Sequence, residues 1–405
     1  MRLLHTSDWH LGQHFFGKHR QHEHAAFLDW LLQQVAQQQV DAVLVAGDVF
    51  DSASPPSHAR EAYHQFVVDM HDAGVQLVVL GGNHDSPAVL GESRQLLERL
   101  HTHVVPSLDR AAAGHVLELR QRDGHIGALL CAVPFIRARE VRQSLPGQDA
   151  EASRQDLIAG IAAHYNAIHQ AALARRQELG RPLPIVATGH LTCVGASRSE
   201  SVREIYVGSL SAFPADAFPP ADYIALGHIH RPQQVSASGH IRYSGSPIAL
   251  GFDELGTTKQ VLLVDLDEGG LRAVTALPVP VFQPMARLSG SLKQLPSRLD
   301  EVAAALTEGQ VAWLEVEVVG DDILPDLPAR VAALVEGRPL DVLRLRRRLA
   351  SQPTLAPMLQ SLDELGPAEV FERRLALAPA LEEKQRQVLR TCFARILAQV
   401  EEGGV

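Results

Sequence analysis

Five short clusters of aspartate, asparagine and histidine carry the residue types that bind divalent metal ions. They are Asp8-Trp9-His10, Gly47-Asp48, Gly82-Asn83-His84-Asp85, Gly189-His190 and Gly227-His228-Ile229-His230. Carboxylate oxygens and imidazole nitrogens together suit Mn²⁺, Fe²⁺ or Zn²⁺, whereas Mg²⁺ prefers oxygen ligands. The clusters therefore predict a site for transition-metal ions, with enough ligands for two.

Asp48 is the best candidate for a ligand that bridges the two ions. In two-metal sites one carboxylate can join ions roughly 3.5–4 Å apart and help to place a hydroxide between them. Two divalent ions bring four positive charges, and Asp8, Asp48 and the hydroxide remove three of them, since Asn83 and the histidines are neutral. The positive charge that remains attracts a phosphodiester anion, so the ligand set predicts phosphoester chemistry.

Strands must position these clusters, because most clusters directly follow an apolar run. The runs cover residues 3–6, 42–46, 77–80, 185–188 and 224–226. Helical spacing of apolar residues between the early runs predicts βαβαβ winding and a largely parallel sheet, so the clusters can meet at its carboxyl edge. The β-rich residues 241–277 are expected to form a second sheet packed against the first.

Length and proline content predict that the chain is divided into two domains and a tail. A chain of 405 residues is too long for one ordinary core, and Leu277-Pro-Val-Pro-Val disfavours continued strand pairing. We predict an α/β domain over residues 1–278, a small α+β domain over 279–350 and a helical tail over 351–405. The last helix carries an apolar stripe, which suits either packing on its own domain or docking in a partner's groove. The stripe consists of Leu381, Val388, Leu389, Cys392, Phe393, Ile396, Leu397 and Val400.

Charge and cysteine content limit the kinds of partner and the cellular compartment that the sequence predicts. The net charge of −10 argues against a surface that attracts nucleic acid over its whole area. Arg344, Arg346 and Arg348 share one strand face by their period of two, which fits a phosphate or partner contact and equally a solvated face. The three distant cysteines suggest no disulfide framework, and the absence of a signal peptide or membrane-spanning run predicts a cytoplasmic protein without membrane contact.

The other histidines lack this clustering and are expected on the surface. Those near the first cluster are assigned to a solvated loop and helix start: His14, His19, His22 and His24. The rest of this group are His58, His64, His101, His103, His164 and His169.

The five clusters resemble the calcineurin-like metallophosphoesterase superfamily, whose pattern is Asp-x-His, Gly-Asp-x-x-Asp, Gly-Asn-His-Asp/Glu, Gly-His and Gly-His-x-His. Longer stretches, residues 5–12, 46–56, 190–196, 219–230 and 243–248, are similar to the SbcD family of bacterial nuclease subunits. The resemblance implies a two-sheet sandwich flanked by helices. It also implies that residues 279–350 form a capping domain that guides DNA.

Carried over by position, the resemblance implies a role for each site residue. Asp8, His10, Asp48 and His230 would bind one metal ion, and Asp48, Asn83, His190 and His228 the other. His84 would be the general acid for the leaving oxygen, a role typically worth about 10²–10⁴ in rate. Asp51 and Asp85 would orient His84.

The resemblance also implies an activity and partners. It implies a Mn²⁺-dependent 3′→5′ exonuclease on double-stranded DNA ends that also cuts single strands and hairpins, in DNA repair, recombination and replication. The partner would be an SbcC-type coiled-coil ATPase on which the tail docks, with two copies of each subunit, in the cytoplasm and at the nucleoid. A cyclic nucleotide phosphodiesterase is the alternative, because such enzymes share the five clusters, and a structural partner with an inert metal fold is a third reading.

Overall fold

The computed structural model describes most of the chain up to residue 348 and short parts of the remainder. The described residues are 1–108, 111–141, 150–194, 196–197, 199, 202, 212–235, 237–320, 326–348, 371–372, 375 and 385–393. The chain divides into two compact units, Met1–Arg348 and Leu349–Val405. The expected division of the first unit near residue 278 stays a prediction, and so does the boundary at residue 350.

The described part of the first unit contains seventeen strands. In chain order they are β1 (Arg2–Thr6), β2 (His14–Phe15), β3 (Lys18–His19), β4 (Ala42–Val45), β5 (Gln76–Leu80), β6 (Thr102–Val105), β7 (Val116–Arg120), β8 (Ile126–Cys131), β9 (Ile185–His190), β10 (Tyr223–Gly227), β11 (Gln233–Gln234), β12 (Ile241–Tyr243), β13 (Gln260–Asp267), β14 (Gly270–Pro278), β15 (Met285–Gly290), β16 (Ala312–Val319) and β17 (Leu340–Arg348).

Helices connect and cover these strands. They are α1 (Gln21–Gln37), α2 (Ser57–Asp72), α3 (Pro87–Gly91), α4 (Arg94–Glu98), α5 (Ala138–Val141), α6 (Ala150–Leu179), α7 (Leu295–Ala304) and α8 (Leu327–Val335). Among the residues that the structure describes, no helix combines the length and apolar character that crossing a membrane requires.

Six strands form the first sheet, in the order β14-β13-β1-β4-β5-β6. Strands β1, β4, β5 and β6 run parallel, as the strand–helix alternation predicted. Strands β13 and β14 extend the sheet antiparallel at its β1 edge. Residues 260–278, expected in the second sheet, therefore belong to the first, and that expectation was wrong. A hairpin can add to an open sheet edge without a crossover helix, so its own sequence does not reveal which sheet it joins.

The second sheet has the order β11-β12-β10-β9-β8-β7. Its central strands β8, β9, β10 and β12 are parallel, and β7 and β11 are antiparallel at its two edges. Strands β9 and β10 precede the fourth and fifth clusters. The five clusters therefore come from the strand ends of two sheets.

Both faces of the central strands are buried, because successive side chains point to opposite faces. In the first sheet, Leu4 and Val43 pack outward against α1 and α2, whereas Leu3 and Leu44 pack inward against the second sheet. Helix α6 covers the outer face of the second sheet through residues such as Tyr165. Each fully buried Leu or Val contributes about 1.5–3 kcal/mol of burial free energy. The result is a helix–sheet–sheet–helix sandwich, which confirms the predicted fold class.

Strands β15, β16 and β17 form a separate parallel sheet. Helices α7 and α8 cover one of its faces, where Leu295 and Val331 pack with Leu314. The opposite face contacts the β2–β3 hairpin, which follows the first cluster. There the rings of Phe15 and Trp313 stack with their centroids 5.8 Å apart.

Two histidines predicted on the surface are buried. His24 is 3% exposed and His169 is 4% exposed. His24 lies three and four residues before the buried Phe27 and Leu28 on α1, and His169 lies four residues after the buried Tyr165 on α6. Residues three or four apart share a helix face, so both histidines continue an apolar stripe. The prediction was wrong because it judged polarity and not position on the helix.

His5 makes the stability of the sandwich depend on pH. Its buried ring lies between the sheets, with Nδ1 2.9 Å from the hydroxyl oxygen of Tyr223. Burial lowers the pKa of His5 to about 3, against a small opposing effect of the Leu226 backbone. Because the unfolded chain takes up the proton near pH 6.5 and the folded chain does not, stability falls as pH drops from about 6.5 towards 3. At pH 5.5 the loss from this group is about 1.4 kcal/mol.

We therefore expect His5→Asn to lose less stability on acidification than the unaltered protein, since asparagine can bond to Tyr223 but does not titrate. The measurement is urea denaturation with metal chelated, at pH 7.5 and 5.5. The unaltered chain should lose about 1.4 kcal/mol more than His5→Asn between these pH values. A His14→Asn variant, altered at an exposed position, should behave like the unaltered chain. Equal losses in all three proteins would contradict this account of His5.

Candidate metal centre

Strand ends from both sheets deliver the clustered residues to one place. Asp8 and His10 follow β1, Asp48 follows β4, and Asn83 and His84 follow β5. From the second sheet, His190 ends β9, and His228 and His230 follow β10. Side chains that are far apart in the chain thereby come within contact distance of one another.

Among the residues that the structure describes, three overlapping groups of side chains could each hold a cation. They are Asp8 with His10 and His230, His10 with Asp48 and His84, and Asp48 with His190 and His228. In each group the ligand atoms lie within 4.8 Å of one another, and every member is buried. Asn83 completes the third group, since its Oδ1 is 2.9 Å from His190 Nε2 and 3.1 Å from His228 Nδ1. The first group contains three members of the first predicted ligand set, without Asp48, and the third group with Asn83 contains the members of the second set.

Asp48 stands between the two ligand sets. Its Oδ2 lies 3.6 Å from His10 Nε2 and 3.2 Å from His190 Nε2. Its Oδ1 accepts the backbone N–H of His84 at 2.9 Å, which fixes the carboxylate. One oxygen therefore faces a histidine of each set, which is the geometry that a bridging ligand needs.

Hydrogen bonds at Nδ1 turn the Nε2 atoms of several histidines into the site. His10 Nδ1 lies 3.2 Å from Asp51 Oδ1, and His190 Nδ1 donates to the Ala46 carbonyl oxygen at 2.9 Å. Such partners fix the tautomer and orientation of histidines that bind metals. Within the described part of the chain, the buried Nε2 atoms of His10 and His228 have no hydrogen-bond partner. The unpaired Nε2 of His10 lies 3.6 Å from Asp48 Oδ2, which fits a divalent cation with mixed oxygen and nitrogen ligands.

Two further aspartates hold the backbone of the clusters. Asp8 Oδ1 accepts the backbone N–H of His228 at 2.9 Å, which joins the first and fifth clusters. Asp85 accepts backbone N–H groups from Val49, Phe50 and Gly82 at 3.1, 2.9 and 2.8 Å. These bonds shape the loops of the second and third clusters. The expectation that Asp85 orients His84 stays a prediction.

The buried charges of the site act strongly on one another. Burial opposes ionisation of Asp48, but the nearby imidazoles of His190, His10 and His84 hold the pKa of that carboxyl well below its usual range. Burial likewise opposes protonation of His190, yet the Asp48 carboxylate raises its pKa to about 9. Asp48 is therefore anionic, and positive charge must lie beside it. Metal ions that bind such ligands replace protons.

Strained backbone is concentrated at the predicted ligands. Four of the predicted ligands have positive φ angles that side chains rarely adopt, namely Asp8 at 54°, His10 at 49°, Asp48 at 50° and His228 at 90°. Such conformations cost of order 1–3 kcal/mol each and cluster at functional sites. Gly82 is also required, since a Cβ atom there would overlap the Asp48 carboxylate. The strain indicates that the loops are shaped for the site at the expense of local stability.

Sequence reasoning missed two buried residues beside the site, Glu254 and Lys259. Glu254 Oε1 lies 3.0 Å from His230 Nδ1, and Lys259 Nζ lies 2.6 Å from Glu254 Oε2. Neither belongs to a metal-ligand motif, and both lie more than twenty residues beyond the last cluster. Nothing in their spacing could have identified them, because the contact depends on where the loop before β13 returns.

Comparisons with known proteins identify relatives of the chain. Residues 1–232 match the family described as calcineurin-like phosphoesterase, and residues 281–378 match the type 5 capsule protein repressor C-terminal domain. The chain is 49% identical over 400 residues to the SbcD subunit of the nuclease SbcCD from Escherichia coli (strain K12), covering 98% of each. It is 35% identical to the protein of the same name from Rhodobacter capsulatus, covering 92% of this chain and 93% of the relative. A dimetal phosphatase from Danio rerio has a TM-score of 0.37 at 11% identity, covering 69% of this chain and 98% of that one, which carries no argument.

The position of Asp48 predicts how metal content responds to its removal. We expect Asp48→Asn to reduce the bound metal from two ions per chain to at most one, because one carboxylate oxygen faces both ligand sets. Elemental analysis after loading with Mn²⁺ and desalting measures this. His14→Gln, at an exposed histidine of the neighbouring hairpin, should keep both ions. Retention of two ions by Asp48→Asn would rule out the bridging role.

Proposed function

The chain belongs to the calcineurin-like phosphoesterase family and, within it, to the SbcD subunits of SbcCD nucleases, and on this basis we propose that it cleaves DNA with two Mn²⁺ ions. It is a hydrolase of phosphodiester bonds and a nuclease, and the cyclic nucleotide alternative is set aside. The near-complete coverage of a nuclease relative supports this reading. The same proposal covers the identity of the metal, the roles of the site residues, the DNA contacts and the partner subunit.

The position of Asp48 carries the proposal. An anionic, buried carboxylate between His10 and His190 suits a pair of cations better than a single one. We assign Asp8, His10, Asp48 and His230 to one ion, and Asp48, Asn83, His190 and His228 to the other. When bound, two divalent cations supply Lewis-acid activation of water and of the phosphate group. Mixed oxygen and nitrogen ligands favour Mn²⁺ over Mg²⁺.

His84 is proposed as the general acid. Its Nδ1 lies 2.7 Å from the backbone oxygen of Asp51, and we assign Nε2 to the substrate side. Its ring lies at right angles to the His10 ring, with centroids 4.6 Å apart. From this position Nε2 can give a proton to the oxygen that leaves the phosphate. Asp51 serves both histidines, since its carboxylate contacts His10 Nδ1.

We propose a DNA contact on the face of the β15–β16–β17 sheet that also meets the β2–β3 hairpin. This face carries Arg287, Arg344, Arg346 and Arg348, and the glutamates Glu315 and Glu317 pair with them. The arginines exceed the glutamates by two charges. Arg344 lies over the ring of Phe16, at 5.7 Å from its centroid, on the hairpin that follows the first metal cluster. A local basic face of this kind can bind phosphates although the whole chain is acidic.

We propose three functional parts, namely the nuclease domain over residues 1–278, the capping domain over 279–350 and the tail over 351–405. The capping domain would guide DNA ends to the metals for 3′→5′ exonuclease action, and single strands or hairpins for endonuclease action.

The tail would dock on an SbcC-type coiled-coil ATPase, in a complex with two copies of each subunit at the nucleoid. Exposure of Val388 and Leu389, at 57% and 39%, supports docking. Leu381, Ile396, Leu397 and Val400 of the predicted stripe lie outside the described residues.

The catalytic assignment is tested with His84→Ala. We expect Mn²⁺-dependent cleavage of a hairpin-ended duplex, with ATP and with or without the co-purified ATPase, to fall by about 10²–10⁴ because the leaving oxygen loses its proton donor. Metal content should stay at two ions. His14→Ala is the matched control and should cleave normally. Undiminished cleavage would remove His84 from the mechanism, and loss of an ion would make it a ligand instead.

The DNA contact is tested with the double variant Arg346→Ala and Arg348→Ala. Removing these arginines should not leave the buried Glu315 without a counter-charge, because Arg287 at 2.6 Å and Arg344 at 3.1 Å remain paired with it. Losing two phosphate contacts should weaken duplex binding and reduce the slope of log affinity against log salt by about 1.8. Fluorescence anisotropy at several salt concentrations, with metal chelated, measures both.

The control for this test is Arg330→Ala on α8, whose helix packs on the opposite face of the same sheet. It removes one positive charge from the small domain but none from the arginine face. The salt slope of Arg330→Ala should match that of the unaltered protein. A double variant with an unchanged slope would show that DNA does not contact this face.

A further inference from the structure

A buried ion pair, Glu254 with Lys259, lies directly behind the metal ligand His230. Glu254 and the His230 side chain are almost fully shielded from solvent, and the Lys259 side chain is 9% exposed. Taking a carboxylate and an ammonium group out of water costs several kcal/mol per ion before their attraction is counted. A pair in this position is therefore weak evidence for stability, and its contacts with His230 are the feature to explain.

Glu254 holds the ring of His230. Its Oε1 accepts from His230 Nδ1 at 3.0 Å and from Ser199 Oγ at 2.9 Å. Its Oε2 accepts from Lys259 Nζ at 2.6 Å and from the Leu250 backbone N–H at 3.0 Å. Because Glu254 contacts Nδ1, we assign Nε2 as the nitrogen that would bind a cation. A carboxylate behind a histidine also makes the imidazole a stronger ligand.

Lys259 holds the backbone of the same ligand. Besides Glu254, its Nζ donates to the His230 carbonyl oxygen at 3.0 Å and to Ser246 Oγ at 2.7 Å. The three ammonium protons thus have three acceptors, which accounts for a lysine in so buried a place. Ring and backbone of His230 are fixed by the two members of one ion pair.

The two proposed metal positions differ in whether carboxylates contact Nδ1 of their histidines. In the set of Asp8, His10 and His230, both histidines have a carboxylate at Nδ1, from Asp51 and Glu254. In the other set, His190 bonds to a backbone carbonyl and His228 Nδ1 faces the Asn83 amide oxygen. Removing Glu254 should therefore affect one ion and not both.

We propose that Glu254 and Lys259 are positioning residues that fix His230 and thereby set the affinity of the ion bound by Asp8, His10 and His230. The inference rests on the proposed two-metal function and adds a residue pair outside the five clusters. It also predicts an asymmetry, since the ion held by Asn83, His190 and His228 does not depend on this pair.

The test is Mn²⁺ titration of the metal-free full-length chain by calorimetry. We expect Glu254→Gln to bind one Mn²⁺ with unchanged affinity and the other about 10–100-fold more weakly, the usual effect of losing a partner behind a metal-binding histidine. Cleavage should need correspondingly more Mn²⁺ for half-maximal rate and should approach the normal rate at saturating Mn²⁺. Glu268→Gln, at an exposed glutamate, is the matched control and should titrate normally.

Two additions keep the test decisive. If Glu254→Gln fails to fold because Lys259 loses its counter-charge, the double variant Glu254→Gln with Lys259→Met removes both charges, and such replacements are often neutral for stability. The folded double variant should show the same weakening of one ion. If the unaltered chain binds two Mn²⁺ ions and the variants bind both as tightly, or lose both equally, the positioning role is overturned while the metal centre stands. If the unaltered chain binds no Mn²⁺, the proposed function itself fails.

Discussion

The buried carboxylate of Asp48 is the constraint on which the rest of the metal centre depends. An anion taken out of water needs positive charge beside it, and a buried carboxylate without compensation would cost several kcal/mol. Its Oδ2 faces His10 from the first sheet and His190 from the second. The strand ends of both sheets must therefore stay within a few ångströms of one another for this charge to be balanced.

The apolar layer between the sheets keeps those strand ends together. Leu3 and Leu44 of the first sheet pack in one layer with Val186 and Ala225 of the second, so the sheets cannot slide without opening a close-packed core. Polar contacts reinforce this registry where the layer meets the site. The Asp8 carboxylate accepts the backbone N–H of His228, and two of the ligand loops are thereby joined. Strain at the ligand backbones is tolerated because this surrounding structure fixes them.

Elements outside the sandwich are tied to the same centre. The loop between β12 and β13 brings Glu254 and Lys259 behind His230, and the β2–β3 hairpin carries Phe15 from the first cluster to Trp313 of the small sheet. The arginine face of that sheet therefore begins beside the hairpin that leaves the metal site. This connection gives a physical basis for relating the proposed DNA contact to the proposed metal centre, although the two lie in different sheets.

Much of the fold and the site could be predicted from sequence because the informative features are local. Continuous apolar runs identified the buried strands before each cluster, and the residue types of Asp8, His10 and Asp48 specified a metal that accepts oxygen and nitrogen. The positions of His24 and His169 on their helix faces could also be read from neighbouring residues. Both were wrongly assigned to the surface because only their polarity was considered. The strand that pairs with residues 260–278 could not be predicted from neighbouring residues, since an antiparallel hairpin can join either sheet.

The sequence by itself determined the fold class, the strands that precede the clusters and the donor atoms of the proposed ligands, because composition and period act over a few neighbouring residues. Only the tertiary structure decided that Asp48 Oδ2 faces histidines from two sheets and that Glu254 lies behind His230. Those contacts join residues 24 to 142 positions apart in the chain, as their numbers show. Their distances depend on how whole sheets and loops pack, and no short pattern encodes that packing.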